Sequence, residues 1–331
     1  MRDHNALRWD GGPAHYEVWY LSATDRGSGL GLWIRYSLRA PSDGSPAECA
    51  LWFMAMDGAR RVARKATYAA ADLCAQRAPF ALTVAGADLT DRGMAGGFDD
   101  VAWELTWVPS QPAAEHVHPL LGRTRIAKTV LVLPHPDLRV EGTVRIGDRT
   151  VTLDGARGGQ AHLWGSKHAL RWAWMHCNDL HTAEGEPRDG DWLDAVSVFV
   201  PRAGRVIGPS TPVVGRLLGE PFRSVGPARV LGNTSAFGLT SWRFEARDGR
   251  RRVMCEVDAP RESLVGVTYH DPDGDEVLCF NSEVSTLRAT VLDRTRRGRF
   301  GWTRRATLLS RCRAHFEYAQ RRPVADIPVM L

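Results

Sequence analysis

Short runs of alternating apolar and polar residues, separated by turns rich in Gly, Pro and Asp, dominate the 331-residue chain. Alternation with a period of two places every second side chain on one face of a β-strand. Many such runs with few helical patterns predict antiparallel barrels or sandwiches. The predicted strands are 15–22, 30–39, 49–56, 101–107, 126–133, 138–146, 149–153, 171–178, 192–200, 228–232, 236–246, 251–257, 264–270, 276–281, 284–292 and 306–318.

One segment departs from this pattern, and three others predict tight turns. In residues 59–77 the apolar and alanine positions recur at near-helical intervals, so we expect a helix there. GDR at 147–149, ARDGRR at 246–251 and DPDGDE at 271–276 predict turns between strands. The last resembles part of a calcium-binding loop but lacks the full ligand pattern, so we interpret it as a turn.

The segment HYEVWYLSATDRGSGLGLWIRYSL, residues 15–38, predicts a hairpin about TDRGSG. A symmetric hairpin centred on residue 26 would pair Trp19 with Trp33 and Glu17 with Arg35 on one face. The Glu–Arg pair would then either anchor or protonate a ligand, or be a structural ion pair at the end of a barrel. A slip of one residue in the register would undo this pairing.

The segment HLWGSKHALRWAWMHCND, residues 162–179, concentrates histidine and tryptophan. As a strand, it places one set of side chains on one face: Trp172, Trp174, His176 and Asn178. A flat apolar surface with a few polar atoms is typical of a ligand-pocket wall. His176 would therefore contact a ligand, or it would be a hydrogen-bonded core histidine. The opposite face carries smaller side chains suited to close packing: Ala173, Met175 and Cys177.

The histidines and the cysteine of residues 162–181 do not have the spacing of metal ligands. This segment has no HxH, HExxH or CxxC motif, so we expect no metal site and no cofactor. A strand would also place Cys177 and His176 on opposite faces, which argues against a cysteine nucleophile activated by that histidine.

Composition narrows the class of protein further. The formal charge of +5 comes from scattered arginines, so we expect no nucleic-acid partner. The six cysteines are far apart, which is typical of reduced thiols in a cytoplasmic protein. The first residues lack a signal-peptide pattern, and no apolar run is long enough for a membrane helix. We therefore expect a cytoplasmic protein without stable membrane insertion, and leave transient membrane contact and the oligomeric state open.

Two stretches resemble a known family. The segment VEGTVRIGDRTVTLDGARGGQAHLWG, residues 140–165, and the hairpin sequences YEVWYL and LWIRYSL resemble AttH-like proteins and carotenoid 1,2-hydratase, also called hydroxyneurosporene synthase. Tocopherol cyclase and some fungal Diels–Alderase proteins are more distant members of the same lipocalin-like type. The family motif Asp-His-Asn-Trp-Gly corresponds here to Ala161-His162-Leu163-Trp164-Gly165, so the acidic residue and the asparagine are replaced.

The resemblance implies an all-β fold of two tandem lipocalin-like antiparallel β-barrel or half-barrel domains with few helices. The glycine-rich DGARGGQ marks a boundary near residue 158, which gives an N-terminal domain 1–158 and a C-terminal domain 159–331. The family's activities add water to, or cyclise, carbon–carbon double bonds of hydrophobic substrates without a cofactor. Tryptophan faces, of which the 12 Trp residues offer many, stabilise the positive charge that such reactions develop.

Two functions follow as hypotheses. The first is a cofactor-independent cyclase or hydratase of a hydrophobic terpenoid or polyene-type molecule, in an aromatic pocket near the domain interface. The alternative is a non-catalytic lipocalin-like carrier of a hydrophobic ligand, and a protein with only structural or partner-binding aromatics is a third interpretation. The predicted catalytic residues are His176, Glu17 and Asn178, and the predicted substrate-binding residues are Trp172, Trp174, Trp164, His162, Trp19, Trp33 and Arg35.

Overall fold

The structure, a computed structural model, describes residues 4–58, 60–117, 128–202, 204–295 and 301–331. The strands of the first sheet are β1 His15–Thr24, β2 Gly31–Ala40, β3 Glu48–Asp57, β4 Arg60–Ala69, β5 Leu73–Gln76, β6 Ala81–Val84, β7 Ala87–Thr90, β8 Gly93–Phe98, β9 Val101–Trp107, β10 Ala114–Glu115, β11 Thr129–Ile146 and β12 Arg149–Gly165. Those of the second sheet are β13 Arg171–Cys177, β14 His181–Thr182, β15 Trp192–Arg202, β16 Arg205–Ser210, β17 Val213–Leu217, β18 Glu220–Ser224, β19 Thr234–Phe237, β20 Ser241–Asp248, β21 Arg251–Asp258, β22 Val265–His270, β23 Glu276–Arg294 and β24 Trp302–Gln320.

Each half of the chain forms one twelve-stranded antiparallel sheet. The first has the order β4-β3-β2-β1-β12-β11-β9-β8-β7-β6-β5, with β10 beside β11. The second has the order β18-β17-β15-β13-β24-β23-β21-β20-β19, with β14 beside β24, β16 beside β15 and β22 beside β23. All three predicted turns connect paired strands: β11 with β12, β20 with β21, and β22 with β23. The predicted all-β fold of two tandem lipocalin-like units is confirmed.

Helical structure is sparse in the part of the chain that the structure describes. It comprises α1, Pro227–Gly232, and two 3₁₀ turns, Ala70–Asp72 and Arg261–Ser263. None of these helices is long and apolar enough to cross a membrane. The predicted strand 228–232 is therefore wrong, because α1 begins with a proline, which suits the first position of a helix.

The helix predicted over residues 59–77 is also wrong. Residues 60–69 form β4, which pairs with β3 along its whole length, and residues 73–76 form β5. Helix propensity is a weak preference, and a long neighbouring strand that offers hydrogen-bond partners overrides it. Residue 59 itself lies outside the described residues, as do residues 126 and 127 of the predicted strand 126–133.

The chain passes from one sheet to the other at residues 166–170. The strand β12 pairs with both β1 and β11 and ends only at Gly165, so residue 158 lies within the first sheet. The second sheet begins at Arg171. The change of sheet thus follows the boundary near residue 158, and the division into two separate domains stays a prediction.

Three apolar clusters organise the molecule. One lies inside the first sheet, one inside the second, and the third between the two sheets. We call the third the inter-sheet layer; its large members include Tyr16, Tyr20, Trp33, Trp52, Trp172, Trp174, Trp192 and Tyr269. Because side chains alternate along a strand, β1 and β13 each supply one face to a sheet interior and the other to this layer.

An ion pair between an exposed arginine and a buried carboxylate ties the two sheets together beside the layer. Arg26, in the turn between β1 and β2, hydrogen-bonds both carboxylate oxygens of Asp179, which follows β13. Asp179 is buried, and Arg313 and His181 also contact it. Burial alone would raise the pKa of Asp179, but the hydrogen bonds and charge of Arg26 hold that pKa below its ordinary value.

We expect Arg26→Ala to lower the free energy of unfolding by about 1–3 kcal/mol, because it leaves the buried Asp179 carboxylate with fewer donors. The ionised Asp179 stabilises the fold above its unfolded-state pKa, and this contribution is lost as pH falls through the lower folded-state pKa. Without Arg26 the folded-state pKa rises, so the variant loses stability at a higher pH. Urea unfolding across acidic pH measures both effects.

Arg243→Ala is the matched control, since the Arg243 side chain is 79% exposed and its replacement removes the same charge. Equal unfolding curves for the two variants at every pH would show that Arg26 does not hold the sheets together.

Candidate functional site

The strand β13 has the alternation that the sequence predicts. Trp172 and Trp174 lie in the inter-sheet layer, and His176 and Asn178 follow on the same face. The opposite face belongs to the interior of the second sheet and carries Ala173, Met175 and Cys177. Burial raises the pKa of the Cys177 thiol to about 12, which argues against a thiolate at this position.

Four titratable side chains lie side by side across the second sheet at the inter-sheet layer. His176 on β13 is the cross-strand neighbour of Asp194 on β15 and of His315 on β24. His315 in turn contacts Glu283 on β23. We call these four residues, Asp194, His176, His315 and Glu283, the acid–base row; all are buried.

Asp194 organises one end of this row. His176 Nδ1 lies 3.0 Å from Asp194 Oδ2, and Trp174 Nε1 donates to Oδ1 at 3.1 Å. His116, which belongs to the first half of the chain, lies with its Nε2 2.9 Å from Oδ1. Burial would raise the pKa of Asp194, but the two histidines hold it below its ordinary value. A buried carboxylate with these partners fixes the orientation of the His176 ring.

The second nitrogen of His176 is the unusual atom of the row. Nε2 is buried and has no hydrogen-bond partner among the described residues. It lies against Gly159 of β12, where an added Cβ would be 2.5 Å from it. Because buried polar atoms are nearly always hydrogen-bonded, an unpartnered one indicates a functional position or a bound molecule.

At the other end of the row, the pKa of Glu283 is shifted in the opposite direction from that of Asp194. Burial raises the pKa of Glu283, although the contact with His315 works against that rise. The rings of His315 and His176 are stacked with centroids 6.1 Å apart. The row thus places one carboxyl group with a lowered pKa and one with a raised pKa on either side of two histidines, an arrangement that suits proton exchange.

A second polar group connects the row with the edge of the inter-sheet layer. Glu317 accepts hydrogen bonds from Trp172 Nε1 at 3.0 Å and from the Tyr269 hydroxyl at 3.1 Å. Glu317 is also the cross-strand neighbour of Trp174. The Tyr20 ring from the first sheet packs edge-on against Trp174, with centroids 5.6 Å apart. Both sheets therefore contribute to one aromatic, acid-bearing site.

The predicted pairing of Glu17 with Arg35 is wrong. Thr24 pairs with Gly31, so the hairpin is centred between residues 27 and 28, and Glu17 lies opposite Leu38. Each residue of β1 pairs with a residue of β2 three positions later than predicted. Because three is an odd number, Arg35 lies on the opposite face of the sheet from Glu17. There Arg35 lies opposite Tyr20, in the inter-sheet layer.

The same shift in register changes the partner of Trp33. It pairs with Ser22 instead of Trp19 and packs against Trp52 in the inter-sheet layer, with ring centroids 6.5 Å apart. Trp19 points into the first sheet, where its ring stacks on His162 at 4.7 Å. The predicted face that combines Trp19 with Trp33 does not exist, because the two side chains lie on opposite faces of one sheet.

Glu17 belongs to a separate cluster inside the first sheet. It accepts hydrogen bonds from the backbone N–H groups of Arg8 and Trp9, at 2.8 and 2.9 Å, and contacts the rings of His162 and His15. These partners hold its pKa below the ordinary value against the effect of burial. The cluster anchors the N-terminal segment, and it lies on the opposite face of β1 from Tyr20 and Trp174.

His162 and Trp164 also belong to the Glu17 cluster inside the first sheet. The His162 ring lies 4.8 Å from that of Trp164, and the guanidinium of Arg8 lies 5.0 Å from the Trp164 ring. Neither belongs to the inter-sheet layer, so the structure does not bring them together with Trp172 and Trp174. Their predicted place at the pocket between the sheets is wrong, because β12 turns these side chains inward.

Asn178 lies two residues beyond His176 on the same face of the chain and connects the sheets. Its amide donates to Asp137 Oδ1 at 2.9 Å and to the Gly158 carbonyl at 2.7 Å. Both acceptors belong to the first sheet. These contacts favour a structural role, and catalysis by Asn178 stays a prediction.

Sequence reasoning missed Asp194, Glu283, His315 and Glu317. The signal was a single charged or histidine side chain within an apolar run, as in WLDAVSVFV, NSEVSTL and AHFEYA. Charged residues at buried strand positions are rare unless they are paired, so each of these marks a buried network.

The acidic turn at residues 271–275 has its own partners. Ligand oxygens of Asp271, Asp273 and Asp275 lie within 4.8 Å of one another. Lys167 contacts Asp273 and Asp275, and Arg321 contacts Asp271. These cations already balance the carboxylates, in agreement with a structural turn.

Comparison with known proteins gives a family without an assigned activity. The chain is 30% identical over 291 residues to the uncharacterized proteins MT0513 and Rv0493c of two Mycobacterium tuberculosis strains, and the match covers 85% of this chain and 82% of theirs. The chain belongs to the family of these mycobacterial proteins. No family model matches the sequence.

Two solved structures have the same fold. A Nitrosomonas europaea protein assigned as AttH (NE1406) matches with a TM-score of 0.54 and 13% identity, over 96% of this chain and 97% of that one. Kievitone hydratase from Nectria haematococca matches with a TM-score of 0.53 and 8% identity, over 92% and 88%. At these identities the likeness shows the fold that this family shares with them.

We expect Gly159→Ala to displace the His176 ring, because the new Cβ would be 2.5 Å from Nε2 and 2.9 Å from Cε1. Crowding of this kind in a packed layer costs about 1–3 kcal/mol of unfolding free energy. NMR signals of the His176 ring should shift and urea unfolding should show the loss.

Gly238→Ala serves as the control, since a Cβ at that glycine meets nothing within 4 Å. Unchanged His176 signals in Gly159→Ala would show that β12 does not press on this ring.

Proposed function

We propose that this protein is a cofactor-independent hydratase or cyclase that acts on a carbon–carbon double bond of a hydrophobic terpenoid or polyene-type molecule. The observation that carries the proposal is the Asp194–His176 pair, whose free Nε2 is buried in the aromatic layer between the sheets. The shared fold with kievitone hydratase supports a hydratase-type reaction.

His176 is the proposed proton-exchanging residue and Asp194 its positioning residue. In a hydration, the acid donates a proton to one alkene carbon, water oxygen bonds to the other carbon, and the proton of that water returns to the base. In a cyclisation the same proton addition is followed by attack of a second group of the substrate, and the proton that this group loses returns to the base. Neither reaction changes the oxidation state of the protein.

The aromatic side chains around the row suit the charge that develops in both reactions. Protonation of an alkene produces a carbocation, and the faces of Trp172, Trp174 and Tyr20 present electron-rich surfaces to it. Gly159 lies against His176 Nε2, so substrate entry requires the imidazole to rotate or β12 to shift. Glu283 and His315 lie beside His176 and provide a route for the returned proton.

The alternative is a non-catalytic carrier of a hydrophobic ligand. The observation in its favour is the same aromatic layer, which offers apolar contact whether or not a proton is transferred. A carrier does not require Asp194 to orient His176, so the two functions differ in their dependence on these side chains.

Incubation with linear polyenes and prenylated phenols in D₂O tests the proposal. Hydration adds one molecule of D₂O to the substrate, cyclisation replaces one hydrogen by deuterium, and both introduce solvent deuterium at carbon. We expect His176→Asn and Asp194→Asn to lower the rate by at least about 100-fold, because general acid–base groups contribute about that much.

His181→Asn is the control, since His181 lies on β14 outside the inter-sheet layer. Circular dichroism shows whether each variant folds. Ligand that is bound but recovered without deuterium would establish the carrier, and wild-type turnover by folded His176→Asn would remove the histidine from the mechanism.

A further inference from the structure

A cleft opens at the edge of the inter-sheet layer. It is small, with a cavity volume of about 40 Å³, and is continuous with solvent. Its wall is both aromatic and cationic; the residues that matter here are Tyr16, Arg35, Trp52, Lys65, His168 and Tyr269. This space is below the usual range for a whole small-molecule ligand, about 300–1,000 Å³, and suits a small head group.

Arg35 is a buried cation without a charged partner. Its residue exposure is 7%, and it makes no salt bridge or hydrogen bond with the described residues. Its Nε is buried and has no acceptor. A buried charge of this kind is costly unless it is paired, and every other buried charge discussed above has a partner.

Aromatic rings hold the guanidinium in place. Arg35 Cζ lies 4.2 Å from the centroid of Tyr269 and 5.0 Å from that of Trp52. Ring contacts occupy the faces of the guanidinium but satisfy none of its N–H donors. The free edge of the group is a planar fork, which matches the two oxygens of a carboxylate.

Lys65 adds a second cation to the same cleft. Its Nζ lies 4.1 Å from the Trp52 ring centroid, and it also makes no salt bridge with the described residues. Burial and the charge of Arg35 lower the pKa of Lys65. Glu48 lines the cleft too, but Arg39 Nε already donates to it at 3.0 Å. Two neighbouring cations without a counterion favour an anionic ligand.

A series of packed aromatic rings connects this cleft with the interior of the inter-sheet layer. The Tyr269 ring is nearly parallel to Trp172, at 5° and 6.4 Å between centroids, and both donate hydrogen bonds to Glu317. Trp174 follows two residues later on the same face of β13. A ligand with its charged end at Arg35 would lay its apolar chain over these rings toward His176.

We propose that Arg35 and Lys65 form the head-group site for an apolar carboxylic acid, whose carboxylate pairs with the Arg35 fork. The direction of the chain toward His176 rests on the proposed function above. The head group would then fix which double bond lies beside the acid–base row, so the substrate is an amphipathic carboxylate.

Binding of decanoate, decanol and decyl phosphate, followed by calorimetry and tryptophan fluorescence, tests the head-group site without requiring turnover. We expect decanoate to bind most tightly. Arg35→Met should raise the Kd of decanoate by at least about tenfold, the usual effect of losing a hydrogen-bonded charge, and leave decanol unchanged. Arg35→Lys should restore only part of the affinity, because lysine lacks the fork.

Arg64→Met is the matched control. Arg64 precedes Lys65 but pairs with Asp100 outside the cleft, so the same charge change should leave decanoate binding unchanged. Circular dichroism shows whether each variant folds.

Three results would overturn the head-group site. They are equal binding of decanoate and decanol, an equal effect of Arg35→Met and Arg64→Met, and tighter binding of decyl phosphate than of decanoate. Loss of turnover in His176→Asn with intact, Arg35-dependent decanoate binding would support both proposals. Arg35-dependent binding with no turnover of polyene carboxylic acids, the substrate class that this site predicts, would reject the enzyme but keep this site.

Discussion

Side chains alternate between the two faces of β1 and β13, and the positions of the buried polar groups depend on this constraint. Each strand must serve two apolar environments, the interior of its own sheet and the layer between the sheets. A strand of this kind is apolar on both faces, and any polar side chain in it is buried whichever way it points. The chemistry of the protein is therefore determined by which of these buried polar atoms find partners within the fold.

The buried polar groups are of two kinds, those with hydrogen-bond partners within the fold and those without. Glu17 has two backbone donors and two histidines, so its charge is satisfied and it anchors the N-terminal segment. His176 Nε2 and Arg35 Nε are buried with no partner among the described residues. The free energy that such atoms cost is recovered when a ligand or a bound water supplies the missing hydrogen bond. The unpaired atoms, and not the fully paired carboxylate, are the ones that indicate function.

The sequence predicted the fold type and the faces of β13 because both depend on local alternation. It could not predict the register of the first hairpin, since a shift in the turn centre of a residue and a half changes the face on which Arg35 lies. It also could not predict contacts between distant segments, such as His116 with Asp194 or Gly159 with His176. Those contacts depend on how two sheets pack, which one-dimensional periodicity does not contain.

The two unpaired positions belong to one continuous surface. Arg35 contacts Tyr269, Tyr269 donates to Glu317, and Glu317 is the cross-strand neighbour of Trp174, which donates to Asp194 beside His176. Aromatic rings thereby join the proposed head-group site at the solvent edge with the proposed proton-exchanging site inside the layer. An elongated amphipathic molecule would reach both positions, because its anion pairs with the arginine while its apolar part lies against the rings beside His176. A compact polar ligand would reach only one of the two positions.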